Sequence, residues 1–184
     1  ILEIPGQTNP TDTTVYDLTW SVQIRASVGE YIDDFNYVGV APNATNGFDS
    51  NYDELEPPLA PGNSVNLYFH HPEWNNFLGD NFSSDIKPEV GLEDTMQVWD
   101  FHFWSTTDGE ASIDFDAYNV IDLPMILEDL GTGERFHLGD GPSHSFVAVA
   151  DSLYHFRLSI GDVTPPELEL GPSFHGPAIY VSDY

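Results

Sequence analysis

The chain has 184 residues, and its 4 Lys and Arg residues face 31 Asp and Glu residues, for a formal charge of −27 at pH 7. Nucleic-acid binding needs a cationic surface, and an anionic membrane surface repels so acidic a chain, so the charge excludes both partners. Hydrophobic residues make up 40% of the chain, which suffices for a packed core. No stretch approaches the roughly 20 apolar residues of a membrane span. We therefore predict one folded domain without membrane insertion.

The same charge indicates the environment in which the protein works. Self-repulsion destabilises a compact state unless salt or bound cations screen it, which favours a saline, alkaline or calcium-rich setting and a halophilic character. Cysteine is absent, so redox chemistry does not identify the compartment. The chain begins at Ile1, as expected of a mature product whose signal peptide was removed. We expect a secreted protein, extracellular or on the cell surface.

The first residues, 1–13, are polar and turn-rich and form a predicted N-terminal extension with a short strand-like start. Residues 16–27 then alternate between apolar and polar side chains, with Trp20, Val22 and Ile24 on one face. A period of two is typical of a half-buried strand. Further strands are predicted at residues 31–40, 64–70, 95–106, 111–118, 124–130, 135–138, 145–150 and 153–160.

The strongest predicted strand is 95–106, with Trp99, Phe101 and Phe103 on one face. The Asp-Gly dipeptide after it is typical of a tight hairpin, so we predict that 95–106 pairs with 111–118. No segment has a convincing apolar pattern of period 3.6. Short strands separated by Gly, Pro, Asn and Asp clusters indicate an all-β fold, an antiparallel β-sandwich of jelly-roll or immunoglobulin-like type, over residues 14–162.

Residues 163–184 form a predicted C-terminal extension, and the run Asp162-Val-Thr-Pro-Pro marks the break between it and the sandwich. It holds two short strand-like segments, 167–170 and 178–182. Free strands readily pair with other chains, and a terminal strand that completes a neighbour's sheet uses this pairing deliberately. The terminal strands therefore predict a self-assembling homopolymer; the alternative is that they fold back on their own sandwich.

An acidic loop, residues 39–61, separates the second and third predicted strands. Asp49, Asn51 and Asp53 stand two apart, followed by Glu54 and Glu56. Oxygen ligands at alternate positions suit a hard cation such as Ca²⁺. Only the first half of a helix–loop–helix calcium motif is matched, because Glu54 replaces its Gly. We predict a calcium site of another design at these five residues; the alternative is a solvated acidic turn.

This loop also carries a resemblance. The run Gly39-Val-Ala-Pro-x-Ala-Thr-x-Gly-Phe-Asp, followed by Asp53 and Glu56-Pro-Pro, resembles a β-sandwich module of secreted bacterial surface proteins, which often carry type IX secretion sorting domains. The resemblance runs from Trp20 to Gly161 and implies no catalytic residues. The sorting domain expected after the last strand is replaced by residues 165–184.

The sequence has few signals for catalysis or for transition-metal binding. There is no cysteine and no Gly-x-Ser-x-Gly elbow, and with 31 acidic residues any chosen carboxylate pair is uninformative, so we predict that the protein is not an enzyme. His102 and Asp100 lack a third metal ligand in the sequence. Asn43 and Asn81 begin two Asn-x-Ser/Thr triplets and are predicted glycosylation sites.

Two functions fit these features. The first is a non-catalytic extracellular structural subunit that assembles through its terminal strands into a surface fibre, tube or layer, stabilised by calcium in the acidic loop. The alternative is a calcium-dependent carbohydrate-binding or adhesive module of a larger secreted protein. Its aromatic platform would use Trp74 and Tyr52, with Tyr68 and Trp104 as further candidates.

Overall fold

The computed structural model describes residues 18–59, 61–90, 96–119, 123–140, 142–161, 167–171 and 178–182. Two mostly antiparallel sheets enclose one hydrophobic core, which confirms the predicted all-β sandwich. The five-stranded sheet has the order β10-β7-β1-β2-β5, and the six-stranded sheet has the order β4-β3-β6-β11-β8-β9. The bounds of the strands, in chain order, are β1 Trp20–Val28, β2 Tyr31–Ala41, β3 Val65–His70, β4 Asn81–Phe82, β5 Ser84–Pro88, β6 Met96–Ser105, β7 Gly109–Tyr118, β8 Met125–Asp129, β9 Arg135–His137, β10 Ser143–Ala148, β11 Leu153–Gly161, β12 Glu167–Gly171 and β13 Ala178–Ser182.

The core consists of the inward faces of both sheets. In β6 the residues Trp99, Phe101 and Phe103 are at most 1% exposed, as their alternation predicts, because successive side chains of a strand point to opposite faces. Trp20 of β1 meets Trp99 edge to face, with ring centroids 5.7 Å apart. The inward residues therefore join the sheets through aromatic contacts.

The predicted hairpin between 95–106 and 111–118 is wrong. β6 pairs with β3 and β11, whereas β7 pairs with β1 and β10, so the chain crosses from one sheet to the other at this turn. The turn bonds to other loops instead: Thr106 N donates to Ser64 O at 3.0 Å, and Ala150 N donates to Asp108 Oδ1 at 2.7 Å. An Asp-Gly turn reverses the chain without deciding which partner each strand takes.

Two further strands, β4 and β5, have no counterpart in the predicted set. β5 pairs parallel with β2, from Tyr37 opposite Ser84 to Ala41 opposite Pro88. Two consecutive residues of β5, Asp85 and Ile86, are both buried. An acidic residue is therefore buried next to an apolar one, and the apolar–polar alternation that marks an exposed strand is missing. β1 and β2 approach closely at Gly39, where a Cβ would lie 2.5 Å from Trp20 O.

At the C-terminus β12 and β13 pair with each other, from Glu167 opposite Ser182 to Gly171 opposite Ala178. They form a two-stranded sheet of their own. The predicted N-terminal extension, residues 1–13, lies outside the described residues. Within the described ranges no helix has the length and apolar character to cross a membrane.

Candidate functional site

The acidic loop is closed by hydrogen bonds from its own backbone. Thr45 N donates to Asp49 Oδ2 at 2.6 Å, and Asp49 N donates to Asp53 Oδ2 at 2.7 Å. Asp53 Oδ1 accepts a third bond, from Ile86 N at 3.0 Å. Asp53, only 4% exposed, therefore anchors the loop to β5.

Burial is the main reason why the pKa of Asp53 rises to about 7, and the nearby charges of Asp85 and Asp49 raise it further. The hydrogen bonds from Ile86 and Asp49 act in the opposite direction, because they stabilise the carboxylate. Asp53 is therefore a buried acid that titrates near neutral pH.

The five predicted calcium ligands do not converge on one point. The structure brings Asp49 and Asp53 together, whereas Asn51 and Glu54 lie at the exposed surface. Glu56 lies beside β3, where it accepts a bond from Asn66 Nδ2 at 2.6 Å. Among the described residues no three His, Asp or Glu side chains form a group that could hold a metal. Calcium binding at this loop stays a prediction.

The two glycosylation triplets differ in their surroundings. Asn43 is exposed in the turn after β2, and the hydroxyl of Thr45 is engaged with the backbone of Gly47. Asn81 is exposed on β4, but its Oδ1 lies 2.8 Å from His70 Nδ1, and Ser83 is buried. Asn43 is therefore the more accessible of the two predicted sites.

The structure uses Trp74 and Tyr52 for packing. The His71 ring stacks on Trp74 with centroids 3.9 Å apart and an interplanar angle of 6°, and Phe82 meets the indole at 4.7 Å. Trp74 Nε1 donates to Asn46 O at 3.3 Å. Tyr52 packs against a small buried cluster that includes Ile86. One face of the indole is therefore covered, and Trp74 holds the 3₁₀ turn Pro72–Trp74 against the sheet.

A cleft of about 760 Å³ lies on the outer face of the six-stranded sheet. Its floor is formed by Asn66 and Tyr68 of β3 and Trp104 of β6, which point outward because Leu67, Phe69 and Phe103 point into the core. Its walls are two loops, which contribute Leu55, Glu56, Pro57, Pro58 and Leu59 on one side and Leu78, Gly79, Asp80 and Asn81 on the other. We call this the outer-face cleft.

The outer-face cleft combines aromatic surface with polar groups that are free to bind. Among the described residues neither the Tyr68 hydroxyl nor the Trp104 indole N–H has a hydrogen-bond partner. Burial, together with the charge of Asp33, raises the pKa of Glu56 to about 8, so at pH 7 this carboxyl is mostly protonated. Burial and the neighbouring Glu56 also raise the pKa of the Tyr68 hydroxyl.

Beside the cleft, three histidines form a row that sequence analysis missed. The rings of His102 and His155 stack with centroids 3.7 Å apart, and His70 lies 5.7 Å from His102. Burial and the two neighbouring histidines lower the pKa of His102 to about 4. The row exists because β11 pairs with β6 so that His155 stands opposite His102, a register that no single strand encodes.

Comparison with known proteins gives no assignment for this site: no protein-family model, curated protein or solved structure matches the chain. The cleft itself offers stacking surfaces at Tyr68 and Trp104, donors on both rings and an amide at Asn66. This combination suits a small or linear ligand with apolar faces and polar edges.

Proposed function

We propose that this protein is a non-catalytic extracellular module that binds a glycan in the outer-face cleft. The observation that carries the proposal is a cleft of about 760 Å³ lined by two outward aromatic side chains, Tyr68 and Trp104, each of which has a polar ring group. Ligand sites in proteins usually measure about 300–1,000 Å³. This candidate takes precedence over self-assembly because it has a defined site.

A sugar ring suits this surface chemically. Its C–H face packs on an aromatic ring, and its hydroxyl groups lie at the rim, where they bond to precisely placed polar groups. Tyr68, Trp104 and Asn66 supply such groups from the floor of the cleft. That the module is non-catalytic is proposed from the sequence, which has no cysteine and no Gly-x-Ser-x-Gly elbow.

The extracellular setting of the proposal rests on charge and resemblance. A formal charge of −27 is best tolerated where salt or divalent cations screen it. The resemblance of residues 39–58 to secreted bacterial surface modules supports the same setting, and calcium in the acidic loop is part of this proposal. Measurement of the melting temperature at increasing Ca²⁺ concentrations tests the calcium site separately.

The Trp104→Ala variant tests the proposed function. We expect its affinity for an oligosaccharide ligand to fall at least about tenfold, since aromatic anchors carry about 2 kcal/mol or more of binding energy. Isothermal titration calorimetry measures the affinity, after a glycan array has identified the ligand.

Trp74→Ala is the matched control. It removes the other candidate indole, which packs on His71 and Phe82, so we expect a stability loss of about 2 kcal/mol and unchanged affinity in the folded fraction. Wild-type affinity in Trp104→Ala, or a loss of binding confined to Trp74→Ala, would contradict the proposed site.

Self-assembly is the second candidate, and one observation favours it. β12 and β13 form a two-stranded sheet that no described ladder joins to the sandwich. Two-stranded sheets alone are marginally stable in water, and their open edges accept further strands. This candidate proposes a structural subunit whose terminal strands join neighbouring copies into a fibre, tube or layer.

Removal of residues 166–184 tests the second candidate. We expect the full chain to form ordered polymers in millimolar calcium, and the shortened chain to stay monomeric because its intermolecular backbone pairing is lost. Negative-stain microscopy and light scattering distinguish the two states. Polymers of the shortened chain, or a monomeric full chain with and without calcium, would overturn this candidate.

A further inference from the structure

The acidic side chains of the outer-face cleft have no basic partner among the described residues that line it. Among the residues described as lining it, Glu56 and Asp80 are acidic and none is Lys or Arg. The ion pairs found in the described ranges use other acids: Glu73, Asp85, Asp100 and Glu128. Lys87, Arg135 and Arg157 are paired with these acids, and Arg25 lies on β1 of the other sheet.

Among the described residues, the Glu56 carboxyl has a neutral donor as its hydrogen-bond partner. Its Oε1 accepts a hydrogen bond from Asn66 Nδ2 at 2.6 Å. The negative charge of Asp33 is near enough to raise the pKa of Glu56. The Asp33 carboxylate in turn accepts a bond from Leu67 N at 2.7 Å. Glu56, in the wall of the cleft, and Asp33, outside its lining, thus influence each other without a Lys or Arg partner in the described part of the chain. A cationic group that enters the cleft would lower the pKa of Glu56 and pair with the carboxylate that forms.

We propose that the outer-face cleft selects glycans that carry a free amine over uncharged and acidic glycans. This inference rests on the proposed function and names its ligand class. An ammonium group beside Glu56 favours the ionised form of this carboxyl and then donates to it a charge-assisted hydrogen bond, which is stronger than a bond between neutral groups. An uncharged sugar gains the aromatic contacts alone. A uronate or sulfate group would meet the acidic Asp80 and the net charge of −27.

The test compares three soluble β-linked oligosaccharides of equal length by isothermal titration calorimetry: a glucosamine oligomer, its N-acetylated counterpart and a uronate oligomer. We expect the amine-bearing oligomer to bind about tenfold more tightly than the N-acetylated one, the effect of one charge-assisted hydrogen bond, and the uronate oligomer not to bind. Added salt should reduce the preference, because it screens the ion pair.

The Glu56→Gln variant separates the specific pair from general attraction to an acidic protein. Gln keeps the shape and an oxygen acceptor for Asn66, so we expect the N-acetylated oligomer to bind as to the wild type, and the amine preference to vanish. Glu110→Gln is the matched control, since it removes one charge from an exposed residue of β7 on the other sheet. This variant should keep the preference.

The possible outcomes separate the inference from the proposed function. Equal affinity for the amine-bearing and N-acetylated oligomers, binding of the uronate oligomer, or an amine preference that survives in Glu56→Gln would overturn the inference. Binding of a glycan that is weakened in Trp104→Ala would still uphold the proposed function. Failure of every glycan class to bind would overturn both.

Discussion

Replacement of Trp99 by Ala should lower the free energy of unfolding by about 3–5 kcal/mol, the usual cost of emptying a large aromatic site in a core. Trp99 is 0% exposed and is the largest of the fully buried side chains. Since single domains are stable by only about 5–15 kcal/mol, the variant should be partly unfolded at moderate temperature.

The size of this effect follows from the position of Trp99 between the sheets. Its strand, β6, belongs to the six-stranded sheet, whereas its contacts belong to the five-stranded sheet. Trp99 Nε1 donates to Asp85 O at 3.0 Å, Trp20 meets its edge, and the Lys87 ammonium lies 5.1 Å from its ring centroid. Loss of the ring therefore leaves a cavity, an unpaired buried carbonyl and a lysine without its aromatic partner.

Urea unfolding followed by far-UV circular dichroism measures the effect. Trp99→Phe, which keeps most of the volume but loses the N–H donor, should cost about 1–2 kcal/mol. Trp104→Ala alters an outward residue of the same strand and should cost about 1 kcal/mol. An unfolding midpoint for Trp99→Ala equal to that of Trp104→Ala would contradict this account of the core.

Acidification from pH about 8.5 to about 6.5 should stabilise the protein by about 2 kcal/mol, after allowance for solvent screening at Glu56. Burial raises the pKa of Asp53 to about 7 and that of Glu56 to about 8, above the unfolded values of about 4. The folded state therefore binds these protons more tightly than the unfolded state. The stability that they contribute is complete below the unfolded pKa and is lost as pH rises through the folded pKa.

Two histidines act in the opposite direction at lower pH. Burial lowers the pKa of His102 to about 4 and also lowers that of His144, so the unfolded state binds their protons first, below pH about 6.5. In the upper part of the range from pH about 8.5 to 6.5, these histidines therefore do not oppose the stabilisation by Asp53 and Glu56. Near pH 6.5 they begin to oppose it. Thermal melts across it should show a rise in melting temperature of about 5 °C towards pH 6.5.

Glu56→Gln provides the internal control for this pH dependence. The variant has no proton to bind at position 56, so its melting temperature should change less with pH than that of the wild type. Glu110→Gln should keep the wild-type slope. A melting temperature that is constant or falls between pH about 8.5 and 6.5 would show that these buried acids are ionised in the folded state.

The inward face of β6 illustrates what a local pattern can predict. Trp99, Phe101 and Phe103 alternate with polar residues, and the structure buries all three because the period of two is a property of the extended backbone itself. The turn at Asp108 and Gly109 was also recognisable. Its two flanking strands nevertheless lie in different sheets. The strand with which each of them pairs depends on contacts with residues far away in the sequence.

The site was harder to predict for the same reason. Tyr68 and Trp104 were candidate aromatic residues among several, and only the pairing of β3 with β6 places them on one surface. Glu56 was predicted as a calcium ligand from its spacing to Asp53. The structure separates these two acids: Asp53 accepts bonds from its own loop and from β5, while Glu56 lies at the cleft beside Asn66.

By itself the sequence determined the all-β class and the inward residues of the long strands, and its charge of −27 carries the prediction that nucleic acid is not a partner. These are properties of short-range backbone geometry and of simple composition. The tertiary structure alone decided the sheet order, the burial of Asp53, the histidine row and the outer-face cleft. Each of these depends on contacts between residues far apart in the chain, and such contacts are selected by the packing of the whole core.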